Sequence, residues 1–358
     1  MHGRNGTVRV NRFLGGLPEL LSCGWAWSVS GTGRKPLRGF GGKALSDPEV
    51  RPAGEETLWD LASLTKPLAT ALLALRAHDA GLLDIERPVA GLQPPATLLA
   101  LLRHEGGFPP WLPLYAFARK RAGALGWLLR EAPRRADGRP EYSCLGYLLA
   151  GLLLEERLGA GLAELFRRLV ASPLGLAEEE ALFSPPADLQ GRTAATELHG
   201  ESEAKLARPY GAAPPPFRMG LAWGEVHDGN ARFLGGTAGN AGLFATLRAV
   251  EVLASAYFPS RAFLSKRALR WAWTSPHRLG GPRRTAGWKC GDSEGWAASP
   301  FLPPGAVGHE GFTGTAVYLD GREERAYILL TNRIHPVHPG TDFGPVRAAF
   351  LERARTLA

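Results

Sequence analysis

Ser63-Leu64-Thr65-Lys66 sets a hydroxyl and an amine three residues apart. On a helix, residues at that spacing share a face, so the Lys66 amine can reach the Ser63 hydroxyl. A serine hydroxyl is a weak nucleophile until a neighbouring base takes its proton. A buried lysine can lose its own proton and act as that base. A helix N-terminus at Ser63 adds a field that favours developing negative charge. Two further segments carry matching chemistry. Tyr142-Ser143-Cys144 offers a phenol that, beside a lysine, shares a proton and serves as general acid or base. Gly308-His309-Glu310-Gly311-Phe312-Thr313-Gly314-Thr315 reads as strand, where glycines allow close backbone approach and an edge N–H helps build an oxyanion hole.

Rival sites carry less. Gly291-Asp292-Ser293-Glu294-Gly295 matches the Gly-x-Ser-x-Gly pattern, which needs a strand before it and a helix after it. Pro300, Pro303 and Pro304 follow too closely for a long helix, so the segment reads as an exposed Gly/Ser loop. His335-Pro336-Val337-His338 lacks a convergent acidic pair and reads as a loop rather than a metal site. In His227-Asp228 the carboxylate can orient the imidazole, and a hydrogen bond bracing the cleft is the preferred role over direct catalysis. Trp111, Tyr115 and Trp127 either line a substrate pocket or pack helices, and both readings stay open.

In this order the three chemical segments resemble the penicillin-recognising serine hydrolases, nearest in pattern to class C β-lactamases, D-peptidases and related esterases. Trp59-Asp60-Leu61-Ala62-Ser63-Leu64-Thr65-Lys66-Pro67 is similar to that family's nucleophile segment. Val226-His227-Asp228, Gly235 to Thr246 and Leu330 to Pro336 are similar to it as well, and the likeness runs from about Phe13 onward. The resemblance implies that Ser63 is acylated, that Lys66 and Tyr142 shuttle the proton, and that water releases the acyl group. It implies an oxyanion hole from the backbone N–H groups of Ser63 and Phe312, substrate binding at Cys144, His309, Glu310 and Gly311, and no metal or cofactor.

Two positions depart from the family pattern. Cys144 stands where an asparagine usually binds the acyl amide, and a thiol is a poor substitute for an amide. Filling a small space is preferred over a catalytic thiol. His309-Glu310-Gly311 stands in place of Lys-Thr-Gly. Glu310 either repels a substrate carboxylate or, by strand alternation, points away from a cleft that His309 faces.

The elements that must position these residues are legible in outline. Cys23–Ser30 and Leu37–Leu45 flank a Gly31–Pro36 turn and predict a hairpin. Leu64–Gly81 has helical spacing, with Pro67 in its first turn and Gly81 as its stop. Leu98–Arg103, Leu145–Leu158 and Leu162–Val170 predict helices, and Pro109-Pro110, Pro185-Pro186 and Pro214-Pro215-Pro216 predict loops. Ala306–Leu319 and Arg325–Asn332 predict strands around Asp320-Gly321, and Phe343–Leu357 a closing helix. The expected fold class is α/β, a mostly antiparallel sheet flanked by helices with a largely helical insert, β-lactamase/transpeptidase-like. Residues 1–80 and 240–358 form the α/β portion and 81–239 the insert carrying the tyrosine segment.

Of 42 basic residues only seven are lysine, and the arginines are scattered, so the net charge of +8 does not predict nucleic-acid binding. Cys23, Cys144 and Cys290 lack metal or redox spacing. The apolar stretch Phe13–Val29 is broken by Gly15, Gly16, Pro18 and Glu19, a poor export signal, and no run is long enough to span a bilayer. A cytoplasmic protein with a small-molecule substrate is expected. The leading reading is an acyl-serine hydrolase of small esters or D-amino-acid amides. The alternatives are a β-lactamase or D-Ala-D-Ala carboxypeptidase-like cell-wall peptide hydrolase, and a weakly active peptide- or glycan-binding relative. Retention of Ser63, Lys66 and Tyr142 speaks against the last.

Overall fold

The computed structural model describes residues 2–357 apart from 18, 19, 21, 22, 138, 212–219, 278–282 and 339, so the Pro214–Pro216 loop lies outside the described residues. The predicted N-terminal hairpin is β1 (Gly24–Gly31) with β2 (Arg34–Leu45), in register from Gly24 opposite Gly42 to Val29 opposite Leu37, with a shift before Gly31 meets Arg34. Its turn is tighter than expected, because Gly33 adopts φ +70° and reverses the chain at once.

A seven-stranded, wholly antiparallel sheet is assembled from both ends of the chain. Its order is β3-β2-β1-β10-β9-β8-β7, with β3 Arg51–Pro52, β7 Lys289–Cys290, β8 Val307–Glu310, β9 Ala316–Asp320 and β10 Arg325–Thr331. Strand alternation gives the sheet two apolar faces. Trp25, Trp27, Tyr318, Tyr327 and Leu329 pack against the helices His2–Gly15 and Gly344–Arg355 through Val10, Leu14, Phe350 and Leu351. Ala26, Val317, Leu319, Ile328 and Leu330 join the main core with the helix Leu247–Ser255 and the helical segments.

Ala306–Leu319 was expected to be one strand, and it is two. Gly311 and Gly314 fold it back, the Gly314 N–H donates to Gly311 O at 3.1 Å, and Gly314 takes φ +96°, which a side chain would resist. Asp320-Gly321 begins the next hairpin as expected, with Arg325 opposite Asp320. A separate three-stranded sheet, β4-β6-β5, joins β4 (Trp59–Asp60), β5 (Ala181–Phe183) and β6 (Leu243–Ala245), and its first strand leads directly into Ser63.

Leu64–Gly81 is helical but not one regular helix. A 3₁₀ turn over Ala62–Leu64 passes into a wide π-helical turn, Lys66–Ala71, and then into the α-helix Leu72–Asp79. Pro67 opens the wide turn, where its missing N–H costs least. The helix Cys144–Leu158 starts on a Ser143 hydroxyl that accepts from Gly146 N and stops at Gly159, φ +69°. Leu98–Leu102 is capped by Thr97, and Leu162–Phe166 runs on as the π-helical turn Arg167–Ala171. No helix among the described residues is long and apolar enough to cross a membrane.

Trp27 has no exposed surface at the joint between sheet and terminal helices. Trp27→Ala is expected to lower the unfolding free energy by about 3–5 kcal/mol, read by urea titration.

Candidate active site

The site begins with a backbone conformation. Ala62, just before the nucleophile candidate, has φ +47°, a left-handed geometry that costs a non-glycine residue about 1–3 kcal/mol. Several bonds hold it there. Asp60 is buried, and its Oδ1 accepts from Ala62 N at 2.8 Å while its Oδ2 accepts from His227 N at 2.8 Å. The turn after β8 clamps the same stretch: Thr313 Oγ1 donates to Asp60 O at 2.9 Å and Thr315 Oγ1 to Leu61 O at 3.2 Å. Burial pushes the Asp60 carboxyl up from its ordinary value, against the pull of its two backbone donors.

Ser63 Oγ receives two hydrogen bonds, from Lys66 Nζ at 2.9 Å and from the Tyr142 hydroxyl at 2.8 Å. Lys66 is wholly buried and also donates to Asn240 O at 3.0 Å. Burial pulls the lysine down, but Cys144, Tyr142 and Asp228 around it outweigh that and the net direction is up. Burial raises the Tyr142 phenol too. Both directions favour the protonated forms, so one of the pair has to shed a proton before it can accept that of Ser63.

Ser63, Tyr142, Cys144, His309, Glu310, Gly311 and Phe312 line one cleft of about 410 Å³, with Lys66 in its wall behind Ser63. Cys144 opens the helix Cys144–Leu158, with its Sγ 3.9 Å from the Tyr142 hydroxyl. His309 is buried, its ring 5.9 Å from that of Tyr142. Its Nδ1 meets Glu310 O at 3.0 Å, which makes Nδ1 the donor, and Nε2 has no hydrogen-bond partner among the described residues. Burial, then the charges of Lys66 and Arg284, depress this imidazole well below its ordinary value, so it is neutral. The Glu310 carboxylate reaches the cleft but is tied to Trp296 Nε1 at 3.0 Å, the Tyr318 hydroxyl at 2.8 Å and Arg347 Nη1 at 3.5 Å. A Cβ on Gly311 would lie 2.8 Å from Leu61 O, so a glycine is what lets β8 close on the turn that carries Ser63. Phe312 projects into solvent between His227 and His338, with ring centroids 5.2 and 5.0 Å away.

The beta-lactamase family profile matches residues 22–349, nearly the whole chain. The chain belongs to the beta-lactamase family. A protein of Salmonella gallinarum named "Putative D-alanyl-D-alanine carboxypeptidase" is 26% identical over 332 residues, covering 83% of this chain and 74% of its own length. Among solved structures, EstCE1, described as a hydrolase with promiscuous acyltransferase activity, aligns with a TM-score of 0.73 at 18% identity, over 99% of this chain and 98% of that one. The D-amino acid amidase of Ochrobactrum anthropi SV3, solved with D-phenylalanine, aligns at 0.69 and 16% identity, over 99% and 98%. At such identities the two structural likenesses speak to fold.

Within this family member, some sequence readings are corrected and others that were open are decided. Asp228 does not orient His227. The His227 Nε2 partner is Glu197 Oε2 at 2.8 Å, and Asp228 instead caps the helix Gly229–Phe233 and accepts from Asn240 Nδ2 at 3.1 Å. The Gly291–Gly295 loop is not wholly exposed, because Ser293 is buried on the backbone of Arg283. His335 serves structure, bonding Thr196 O and Ser46 N. Trp111 lines the cleft, whereas Trp127 stacks on Phe117 within the helical core. The cleft also contains Glu203, Arg284, Lys289 and Arg347, none of which the sequence singled out. Burial and Arg284 lower Lys289 to about 8.

Gly311→Ala is expected to keep the fold by circular dichroism yet slow acylation of Ser63 by about 10²-fold, since the clamp on Leu61 is pushed off. A second expectation concerns acid. Unfolding restores His309 to its ordinary 6.5, so below that the unfolded chain binds a proton the folded chain refuses, and stability falls as pH drops. His309→Gln should narrow the difference between urea midpoints measured near pH 7 and pH 5.

Proposed function

We propose that this member of the beta-lactamase family hydrolyses small esters or D-amino-acid amides through an acyl-Ser63 intermediate. The observation that carries the proposal is the pair of hydrogen bonds converging on Ser63 Oγ from Lys66 and Tyr142 inside a lined cleft. From the form in which the Lys66–Tyr142 pair has shed one proton, the Ser63 Oγ–carbon bond forms on attack and the Ser63 proton enters that pair. That pair then returns a proton to the leaving oxygen or nitrogen as its bond to the acyl carbon breaks. Water attacks the acyl group next, the Oγ–carbon bond breaks, and Ser63 regains a proton by the same route. The backbone N–H groups of Ser63 and Phe312 are the proposed oxyanion donors. Cys144 in place of an amide-bearing side chain favours acyl groups that need no amide-to-amide pairing.

One observation favours a second reading, a cell-wall peptide hydrolase or β-lactamase. Arg284, Lys289 and Arg347 line the cleft beside Glu310, whose charge Arg347 already offsets, so a substrate carboxylate would meet net positive charge there. The named activity of the Salmonella relative fits that reading, and that of the Ochrobactrum amidase fits the first.

A fluorophosphonate or penicillin probe should label Ser63, and Ser63→Ala should abolish labelling and lower kcat/KM on p-nitrophenyl esters by at least ~10⁴-fold. Failure of the wild type to label or turn over any member of a panel of esters and D-aminoacyl amides would sink the enzyme reading. Faster turnover of nitrocefin or of D-alanyl-D-alanine peptides than of the whole panel would move the assignment to the second reading.

A further inference from the structure

Of the cations that line the cleft, Arg284 is the one with no acceptor. Arg347 is paired with Glu310, and Lys289 lies over the Trp296 ring at 4.7 Å. The Arg284 guanidinium makes no hydrogen bond or ion pair among the described residues, and its Nε is shielded from solvent. An arginine cannot shed its proton in a protein, so the charge is permanent. Its one close contact is with an aromatic face: the guanidinium carbon lies 5.2 Å from the centroid of the Tyr142 ring. Burial disfavours this charge, and the foremost group that favours it is Tyr142, ahead of Tyr147 and Cys290.

The backbone, rather than a partner, fixes Arg284 in place. It sits in a tight hairpin in which Arg284 bridges Lys289, Cys290 N donates to Arg283 O at 3.0 Å and Thr285 N donates to Trp288 O at 2.9 Å. Buried Ser293 braces the open end, accepting from Arg283 N at 3.3 Å and donating to Arg283 O at 3.1 Å. The closed end is tied to helices, through Ala286 N to Trp271 O at 2.9 Å and Gly287 N to Leu102 O at 3.2 Å. Gly287 takes φ +98°, and a Cβ there would lie 3.3 Å from Pro67 Cα, so the hairpin packs against the residue that follows Lys66. Tyr142 is fixed as firmly. Glu141 N donates to His104 O and Ser143 N to His104 Nδ1, both at 2.9 Å, and the His104 ring lies 4.9 Å from the phenol ring.

The titratable groups facing Tyr142 are Lys66, Arg284, His104, His309, Cys144 and Tyr147. Burial, then Arg284, depresses His104 well below its ordinary value, and burial, Lys66 and Arg284 do the same to His309, so both imidazoles are neutral. Burial pushes the Tyr147 phenol up, so it keeps its proton. Lys66, with Nζ 5.1 Å from the ring centroid, and Arg284 are therefore the cations against the Tyr142 ring. Burial and Cys144 push the Tyr142 phenol up and Lys66 pulls it down. A second cation adds to the pull, since attraction between a guanidinium and a phenolate acts on both partners.

We propose that Arg284 is a positioning residue of the acyl-serine chemistry, its fixed charge against the Tyr142 ring making that phenol the member of the Lys66–Tyr142 pair that gives up a proton. The inference deepens the acyl-serine reading and rests on it for the step in which that proton matters. Tyr142 releases its proton to water before attack. Its phenolate, 2.8 Å from Ser63 Oγ, then takes the serine proton as Oγ bonds to the acyl carbon. Lys66 stays an ammonium throughout and holds Ser63 Oγ from its other side.

The test measures the rate at which an uncharged fluorophosphonate labels Ser63, as a function of pH, in the full chain and in Arg284→Gln. The rate is expected to rise with pH along one limb, the ionisation of Tyr142. Arg284→Gln should move that limb to higher pH by about one unit or more, so that labelling on the limb slows by about 10-fold or more while the plateau is kept. Arg284→Lys, which keeps the charge without the planar stack, should recover most of the limb's position. Because Arg284 has no acceptor to strand, the glutamine variant is expected to fold, and Arg284→Met stands in if it does not. A second readout needs no acylation: an isotopic label on the tyrosine ζ-carbon, followed by NMR, with Tyr142 assigned by its loss in Tyr142→Phe. Its titration midpoint should move the same way in Arg284→Gln. An unmoved limb, equal slowing at every pH, or a lysine variant as displaced as the glutamine one overturns the proposal. So does a change confined to the KM of carboxylate-bearing substrates, which would make Arg284 a substrate contact. A shifted Tyr142 titration in a chain that no probe labels would sink only the acyl-serine reading. Rapid labelling with the limb unmoved in Arg284→Gln would sink only the role of Arg284.

Discussion

The site depends on a strained turn that two distant parts of the chain hold shut. Ala62 is left-handed, and an alanine has no intrinsic reason to be so. It stays there because the buried Asp60 carboxylate joins the Ala62 and His227 backbones, and because the Thr313 and Thr315 hydroxyls hold the carbonyls of Asp60 and Leu61. Ser63 consequently emerges at the start of a 3₁₀ turn with its hydroxyl toward Lys66 and Tyr142, instead of midway along a regular helix. Releasing any one of these ties would let the turn relax and carry the hydroxyl away from its partners.

That clamp requires the sheet. β4 and β8 are about 250 residues apart in sequence, as the bond from Thr313 to Asp60 shows with its separation of 253. They meet only because strands from the two ends of the chain pair through β1 and β10. Once that pairing is made, the glycines of the β8–β9 turn determine how near the clamp can come. Gly311 admits Leu61 O, and Gly314 supplies the backward bend. The tryptophan- and tyrosine-rich face under the terminal helices serves the same end by keeping the joint between the two ends of the chain dry.

Electrostatically the cleft is uneven. Arg284, Lys289 and Arg347 line it with Glu310, Glu203 and Asp228 line it as well, and Ser63 and Tyr142 stand among the same lining residues with Lys66 behind Ser63. Burial pulls the Lys66 amine down, while Cys144, Tyr142 and Asp228 around it push it up, and the net direction is up. The proton affinity of Lys66 is thus set by the groups that folding gathers around it.

Local features of the chain were legible before any coordinates. The i, i+3 spacing of Ser63 and Lys66, the serine cap before the helix Cys144–Leu158 and the Gly33 and Asp320-Gly321 reversals all act over a few residues, so their physics is written in neighbouring side chains. The antiparallel pairing of the two chain ends was legible through resemblance rather than through periodicity. Reading Ala306–Leu319 as one strand failed because the two glycines that bend it also suit an extended strand, and the threonines that anchor the bend find their acceptors on a segment far away in sequence. Assigning Asp228 to His227 failed for a like reason, since Glu197 competes from 30 residues upstream. Glu203, Asn240, Arg284 and Lys289 had no local signature at all. Sequence by itself determined which residues could carry acyl-serine chemistry, because that depends on side-chain type and short spacing. Only the tertiary structure decided how their proton affinities shift and which charged side chains share the cleft with them, because burial and through-space charge are set by residues that folding alone brings together.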